Sequence, residues 1–238
     1  MEIKTLSAAL IALGLAIGGT VPGYYYYQAH MNNRAVTVKG LAEKDVRADL
    51  AVWKIKFQTT GMVLTDTQRV LADNLSKIQA YLTERGFTGD EILVGRVNTN
   101  DLMANPYRDN VKGPRYILGQ SITVRSGKVD LVEKSLRDIG VLVAQGVLFD
   151  NQEYGSPVAY LFTGLNDIKP EMLEQATTNA RKAAAEFAKS SDARVGKIKR
   201  ANQGVFSILP REQTPSASES EQIDKTVRVV STVEYYLD

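Results

Sequence analysis

The pattern of apolar and polar positions divides the chain into an uncharged N-terminal stretch and a long segment of alternating patterns. Between Lys4 and Arg34 no side chain carries a charge, His30 aside. A helix of this length can cross a hydrocarbon core about 30 Å thick. Four tyrosines close the stretch, and their rings favour the lipid headgroup level. The sequence therefore predicts a transmembrane anchor in residues 1–30. The predicted anchor residues are Leu6, Leu10, Leu13, Leu15, Ile17, Tyr24, Tyr25, Tyr26 and Tyr27.

A cleaved signal peptide is the alternative interpretation of this stretch. Residues 6–15 are short and apolar, as in the central region of a signal peptide, and Ala16 and Gly18 are small enough for a cleavage site. The tyrosine run favours the uncleaved anchor. Gly14 and Gly18 form a small-xxx-small pair that would allow close helix association in lipid, although signal peptides are also rich in glycine. Both interpretations place the rest of the chain on the far side of a membrane.

The segment after the anchor begins with strand patterns. Residues 34–40 alternate and end at a glycine, and residues 41–45 are polar enough for a connection. Alternation resumes at Val46 and shifts by one residue at Trp53. A shift of one residue exchanges the two faces of a strand. We therefore expect a bulge near Val52–Trp53, or a strand buried on both faces there.

Three amphipathic helices are predicted from apolar spacing. The first has Thr65 and Gln68 as a capping box, Leu71, Leu75, Ile78 and Leu82 on its apolar face, and Gly86 just past its end. The second covers residues 128–139 and ends at Gly140. The third has Pro170 in its first turn, an apolar face of Leu173, Ala176, Ala180, Ala184 and Phe187, and its end near Ser190.

The remaining patterns complete an α+β fold of mixed, mainly antiparallel sheets in the order ββαββαββαββ. Adjacent strands without intervening helices indicate antiparallel pairing. Residues 210–223 are polar and rich in proline and serine, so we expect a mobile loop there. The final strand is expected to pair with the strand before that loop. The predicted α+β domain covers residues 34–238. The further predicted strands are residues 91–100, 116–124, 141–149, 157–162, 197–208 and 225–237.

Composition excludes several classes of function. The formal net charge is +2, which gives no electrostatic footprint for nucleic acid. The chain has no cysteine and one histidine, His30, which precedes the domain. A Ser-His-Asp triad, a thiol nucleophile and a histidine-based metal site in the domain are therefore excluded. Without phosphate-binding or nucleophile motifs either, we expect no enzymatic activity, no catalytic residues, no metal and no cofactor.

The strongest polar cluster lies around the predicted loop of residues 102–114. Tyr107, Arg108, Lys112 and Arg115 would together suit an acidic partner or ligand. A solvated hairpin tip is the simpler interpretation, because loops are usually polar.

The order of several short motifs resembles the SIMPL-domain family, and the resemblance covers essentially all of residues 34–238. Two positions depart from the family pattern: Leu41-Ala42 follows Gly40, and Ala48 replaces a usual proline. The matching segments are Val36–Gly40, Ala48–Ala51, Leu82–Gly86 before Asp90–Ile92, Asn105–Tyr107, Tyr116, the alanines 176, 180, 183 and 188, and Val227–Leu237.

The resemblance implies a bacterial envelope protein with an α+β fold. The family is loosely linked to oxidative-stress defence and includes large homo-oligomers, and it offers no established catalytic residues to transfer. We therefore expect a non-enzymatic periplasmic protein that is tethered to the inner membrane by a single span and forms a homo-oligomer, which could be ring-like. The alternative is a small-molecule or peptide-binding module that uses residues 102–115. A soluble periplasmic protein is the alternative localisation, if the N-terminal segment is cleaved.

Overall fold

The computed structural model describes Gly14 and residues 18–27, 34–104, 113–150, 156–215 and 217–238. Residues 18–27 are helical, and the four tyrosines are 60–69% exposed. Within these described ranges, no helix is both long and apolar enough to span a membrane. The other predicted anchor residues, Leu6, Leu10, Leu13, Leu15 and Ile17, lie outside the described residues. An added Cβ at Gly14 or Gly18 would touch nothing within 4 Å, so helix association at this pair stays a prediction.

Strands and helices alternate in groups along residues 35–237, which confirms the α+β class. The described residues after position 34 contain four α-helices rather than three. In chain order the elements are β1 (Ala35–Arg47), β2 (Leu50–Gly61), α1 (Leu64–Glu84), β3 (Ile92–Val94), β4 (Asn98–Asp101), β5 (Tyr116–Ser126), α2 (Val129–Arg137), α3 (Gly140–Ala144), β6 (Leu148–Phe149), β7 (Val158–Leu161), α4 (Leu165–Ser190), β8 (Val195–Gln203), β9 (Ser207–Pro210) and β10 (Asp224–Leu237).

These elements form two compact units, and neither is continuous in the chain. The first comprises Met1–Lys44, Ile168–Ser207 and Val227–Asp238, and the second comprises Asp45–Asp167 and Ile208–Thr226. The predicted domain of residues 34–238 thus contains parts of both units, and its outer limits stay a prediction.

The first unit is built on a sheet with strand order β1–β10–β8, in which β10 and β8 are antiparallel. Alternate residues of β10 are buried, as expected for a sheet that is covered on one face. Ala180 and Ala184 of α4 pack there with Val38, Val233 and Tyr235. Alanine side chains allow a helix to approach a sheet closely, so the alanine-rich sequence permits close packing here.

The second unit is built on an antiparallel sheet with strand order β3–β5–β2–β6. Strand β4 also pairs with β5, and β7 also pairs with β2. The predicted apolar face of α1 is confirmed: Leu71, Ile78 and Leu82 are buried, and Leu75 packs against the same core. Trp53 is also fully buried in this core.

The predicted bulge near Val52–Trp53 is wrong. Strand β2 pairs with β5 residue for residue from Ala51 to Gly61, and its burial alternates without a break. The shift in the apolar pattern instead marks the change from β1 to β2 at Ala48–Asp49, where the chain leaves one sheet for the other. Residues 41–45, predicted as a connection, are part of β1: Ala42 is buried and Lys44 half-buried, while their neighbours in the strand are exposed.

Two helix starts also differ from the prediction. Helix α1 begins one residue before Thr65, so Thr65 is not its N-cap, and the Thr67 hydroxyl donates to the Val63 carbonyl at 2.8 Å. Helix α4 begins at Leu165, which places Pro170 more than one turn inside it. At the other end of α1, Gly86 has a φ of +96°, which confirms its predicted position just past the helix.

The apolar run predicted as a strand over residues 141–149 is mostly a short helix. Gly140 begins α3 instead of ending the preceding helix, and Gly146, with a φ of +88°, follows it. Only Leu148 and Phe149 are extended. Periodicity cannot distinguish a helix from a strand in an apolar run this short. In the helix that forms, Leu142 is buried and its neighbours Val141 and Val143 are exposed.

The last strand pairs with the chain before the polar connection, as predicted. That preceding segment is two strands, β8 and β9, because residues 204–206 are not extended, and both strands pair with β10.

Candidate functional site

Of the predicted partner-binding cluster, the structure describes only Arg115. Arg115 donates to the carboxylate of Asp101, with Nη2 at 2.8 Å and Nε at 3.1 Å, and its guanidinium lies 4.9 Å from the centre of the Tyr116 ring. The Arg115 hydrogen bond lowers the pKa of Asp101 below its ordinary value. Arg115 therefore anchors the base of the loop. Tyr107, Arg108 and Lys112 lie outside the described residues, so binding by this cluster stays a prediction.

A cleft of about 480 Å³ opens elsewhere in the second unit. Volumes of 300–1,000 Å³ are usual for small-molecule sites. One wall is α2, another is β7 with Ser156, two residues before it, and the third is the connection from β9 to β10. The lining residues are Glu133, Leu136, Arg137, Ser156, Tyr160, Arg211, Glu212, Glu221, Gln222, Ile223 and Asp224.

Tyr160 stands on β7 opposite Ala51 of β2, so the central sheet fixes its position. Its side chain belongs to the apolar core, and the residue is only 5% exposed. Burial raises the pKa of Tyr160, the charge of Glu133 raises it further, and Arg137 lowers it. Tyr160 lines the cleft together with both charged residues, and with its pKa raised the phenol stays protonated at neutral pH.

The connection that forms the third wall is held by hydrogen bonds between its two ends. The Glu212 amide donates to Gln222 Oε1 at 3.1 Å, and Gln222 Nε2 donates to the Glu212 carbonyl at 2.9 Å. The Ser156 amide donates to Glu221 Oε1 at 3.2 Å, which links the connection to the start of β7. The mobility predicted for residues 210–223 stays a prediction, but these bonds give the wall a defined shape.

A buried ion pair supports the same wall from behind. Lys225 is fully buried, and its Nζ lies 2.5 Å from Glu219 Oε1 and also donates to the Glu219 carbonyl. A buried ammonium without a partner would be strongly unfavourable, so this pair fixes the short helical turn at residues 219–221 against β10.

The cleft carries more negative than positive charge. Arg211 pairs with Asp45 at 3.3 Å, and Arg137 is 3.8 Å from Glu133 on the same helix. The carboxylates of Glu212 and Asp224 make no hydrogen bond or ion pair with any other described residue. The arrangement can therefore attract a positive charge. No sequence pattern predicted the cleft, because its walls lie far apart along the chain and its charged residues follow no motif.

A second candidate surface is the edge of the same sheet. Strand β3 pairs only with β5 among the described strands, and it leaves Leu93 58% and Val94 45% exposed. Val97, three residues after β3, is also exposed. An apolar edge strand with unpaired backbone groups favours pairing with another chain.

A comparison with protein families gives a match. Residues 36–235 match the model of the SIMPL family, which is described as a protein of unknown function (DUF541). Proteins of this family are typically extracellular or periplasmic. No curated protein matches the chain significantly.

Proposed function

The chain belongs to the SIMPL family, and from this membership we propose that it is a non-enzymatic, homo-oligomeric protein of the bacterial envelope. Its domain would lie in the periplasm, tethered to the inner membrane by the N-terminal segment, or soluble there if that segment is cleaved. A contribution to oxidative-stress defence is part of the proposal and rests on the family resemblance alone.

The observation that carries the proposal is the exposed apolar edge at β3. Ile92, Leu93 and Val94 form a short edge strand of three consecutive apolar residues, without the charges, proline or bulge that protect many edge strands. A second copy could pair with this edge and cover Leu93 and Val94. A membrane tether would favour such pairing, because it raises the local concentration of the domains.

The composition supports a role without catalysis. The domain has neither cysteine nor histidine, which removes thiol nucleophiles and the most frequent general base. Among the residues that the structure describes, no three acidic or histidine side chains are grouped as metal ligands.

The mass of the full-length protein in detergent tests the assembly. We expect a discrete multiple of the 26.2 kDa chain in multi-angle light scattering. The double variant Leu93→Lys/Val94→Lys should have the mass of a monomer, because two charges on the edge oppose strand pairing. Phe187→Lys is the matched control: Phe187 is 62% exposed on a helix, and its replacement should leave the assembly intact.

Two results would contradict this proposal. One is a wild-type monomer at micromolar concentrations and above. The other is equal dissociation of the Phe187→Lys control and the edge variant, which would indicate a general effect of added charge.

A further inference from the structure

We propose that the cleft between α2, β7 and the β9–β10 connection binds a small organic cation, an alkylamine or diamine. This site lies on other elements than the β3 edge and does not depend on the assembly proposed above.

The first argument is the hydroxyl of Tyr160, a residue that lines the cleft and is only 5% exposed. This hydroxyl makes no hydrogen bond with any described residue, and among the described side chains only the Ser135 hydroxyl is both enclosed and without a partner. The Tyr160 hydroxyl is therefore open to the cleft. A tyrosine that only filled the core could be replaced by phenylalanine at no cost, whereas here the hydroxyl faces the cleft and can accept an N–H from a ligand.

The second argument is the sign of the charge that surrounds this hydroxyl. Both arginines of the cleft already lie near carboxylates, Arg211 near Asp45 and Arg137 near Glu133. Glu212 and Asp224 remain without a described cationic partner at the opposite wall. A cationic ligand would be attracted by these carboxylates and could donate an N–H to the phenol oxygen, whereas an anion would be repelled.

The third argument is the apolar surface between the charges. Leu136 and Ile223 line the same cleft and pack against the core beneath it. An alkyl chain would cover them and remove their surface from water. A charged group on a short hydrocarbon chain therefore matches the cleft better than an inorganic cation does.

Calorimetric titration of the full-length protein in detergent with 1,5-diaminopentane tests the proposal. We expect saturable binding of about one molecule per chain, with a dissociation constant on the order of 1 mM or lower. Glutarate and 1,5-pentanediol have the same carbon chain with negative or no charge, and neither should bind measurably.

Three variants locate the site. Glu212→Gln/Asp224→Asn should weaken binding about tenfold or more, because it removes both uncompensated charges. Tyr160→Phe should weaken it about threefold to tenfold without lowering the thermal unfolding midpoint, since the lost hydroxyl has no described partner in the protein. Asp90→Asn, which removes an exposed carboxylate remote from the cleft lining, should bind like the wild type.

The proposal is overturned if diaminopentane gives no saturable heat at 10 mM, on the order of ten times the expected constant, or if pentanediol or glutarate binds equally well. It is also overturned if the Asp90→Asn control loses as much affinity as the cleft variants. Light scattering on the same samples keeps this result separate from the assembly, because the cleft variants should retain the wild-type mass.

Discussion

Glu91 joins three parts of the second unit through its carboxylate. Oε1 accepts a hydrogen bond from the Ser126 hydroxyl at 2.6 Å. Oε2 accepts from the Thr88 amide at 2.8 Å and from Lys128 Nζ at 3.0 Å. These bonds, that of Ser126 first, lower the pKa of Glu91 to about 2, because each one favours the charged form. The carboxylate thus holds the turn before β3 to the end of β5.

Glu91→Gln should therefore reduce stability in a pH-dependent way. The pKa of Glu91 is depressed in the folded protein, from an ordinary 4.5 to about 2. Its contribution is present above pH 4.5 and is lost as the pH falls towards 2. Allowing for partial exposure of the side chain, we expect the free energy of unfolding of Glu91→Gln to be lower by about 2 kcal/mol at pH 7. Urea unfolding of both proteins at pH 7 and pH 3 measures this; a difference that stays constant with pH would contradict the assignment.

At the scale of single residues, the sequence predicts burial better than it predicts partners. Leu71, Ile78 and Leu82 could be assigned to the core from their spacing alone. Glu91 looked like an ordinary charge at the start of a strand, since Ser126 and Lys128 are more than thirty residues away. The surroundings of the Tyr160 hydroxyl could not be predicted either, because they come from three segments that lie far apart along the chain.

At the scale of elements, the close contact between β1 and α4 depends on one glycine. A Cβ added at Gly40 would lie 1.9 Å from the carbonyl oxygen of Ala176 and 2.6 Å from the amide nitrogen of Ala180. Both atoms belong to the helix backbone, which cannot move aside as a side chain can. Gly40 therefore sets how closely the helix approaches the strand.

Gly40→Ala should destabilise the protein by about 3 kcal/mol, the upper part of the range for overpacking. Thermal and urea unfolding measure this loss. Gly119→Ala is the matched control within a strand, because its Cβ would meet only the Phe57 carbonyl at 3.8 Å, an ordinary contact. Equal stability of the two variants would show that β1 and α4 can separate at little cost.

The apolar periodicity of the sequence predicted some helices and strands more accurately than others. Helix α1 and strand β10 are long, with one apolar face each, and both were predicted within about two residues. The start of β2 was misplaced because two strands of different sheets follow each other with only two residues between them. The apolar alternation shifts by one residue both where a strand bulges and where one strand ends and the next begins. The sequence alone therefore could not distinguish a bulge in β2 from the boundary between β1 and β2.

At the scale of the whole molecule, the chain passes four times between its two units. The breaks lie after residues 44, 167, 207 and 226. No composition change or flexible linker marks them, since β1, α4 and β10 each continue across a break. This is why the sequence suggested one domain. Neither unit can be produced as a continuous fragment, so every experiment proposed here uses the full chain.

The predicted N-terminal anchor would determine where the full chain acts, and its apolar residues give a direct test. We expect the protein to stay in the membrane pellet after alkaline carbonate extraction, with an intact mass that includes Met1. Leu10→Arg/Leu13→Arg should release most of it, because each arginine at the centre of a span costs about 3 kcal/mol. Leu41→Arg, an exposed position on β1, is the control and should stay with the membrane.

The intact mass separates the two interpretations of this segment. An anchor keeps all residues, and its extraction then depends on Leu10 and Leu13. A wild-type protein that lacks about the first eighteen residues would instead establish a signal peptide, with cleavage near the small residues Ala16 and Gly18. In that case the tether could not raise the local concentration of domains, and assembly would depend on the β3 edge alone, so the oligomer should dissociate on dilution.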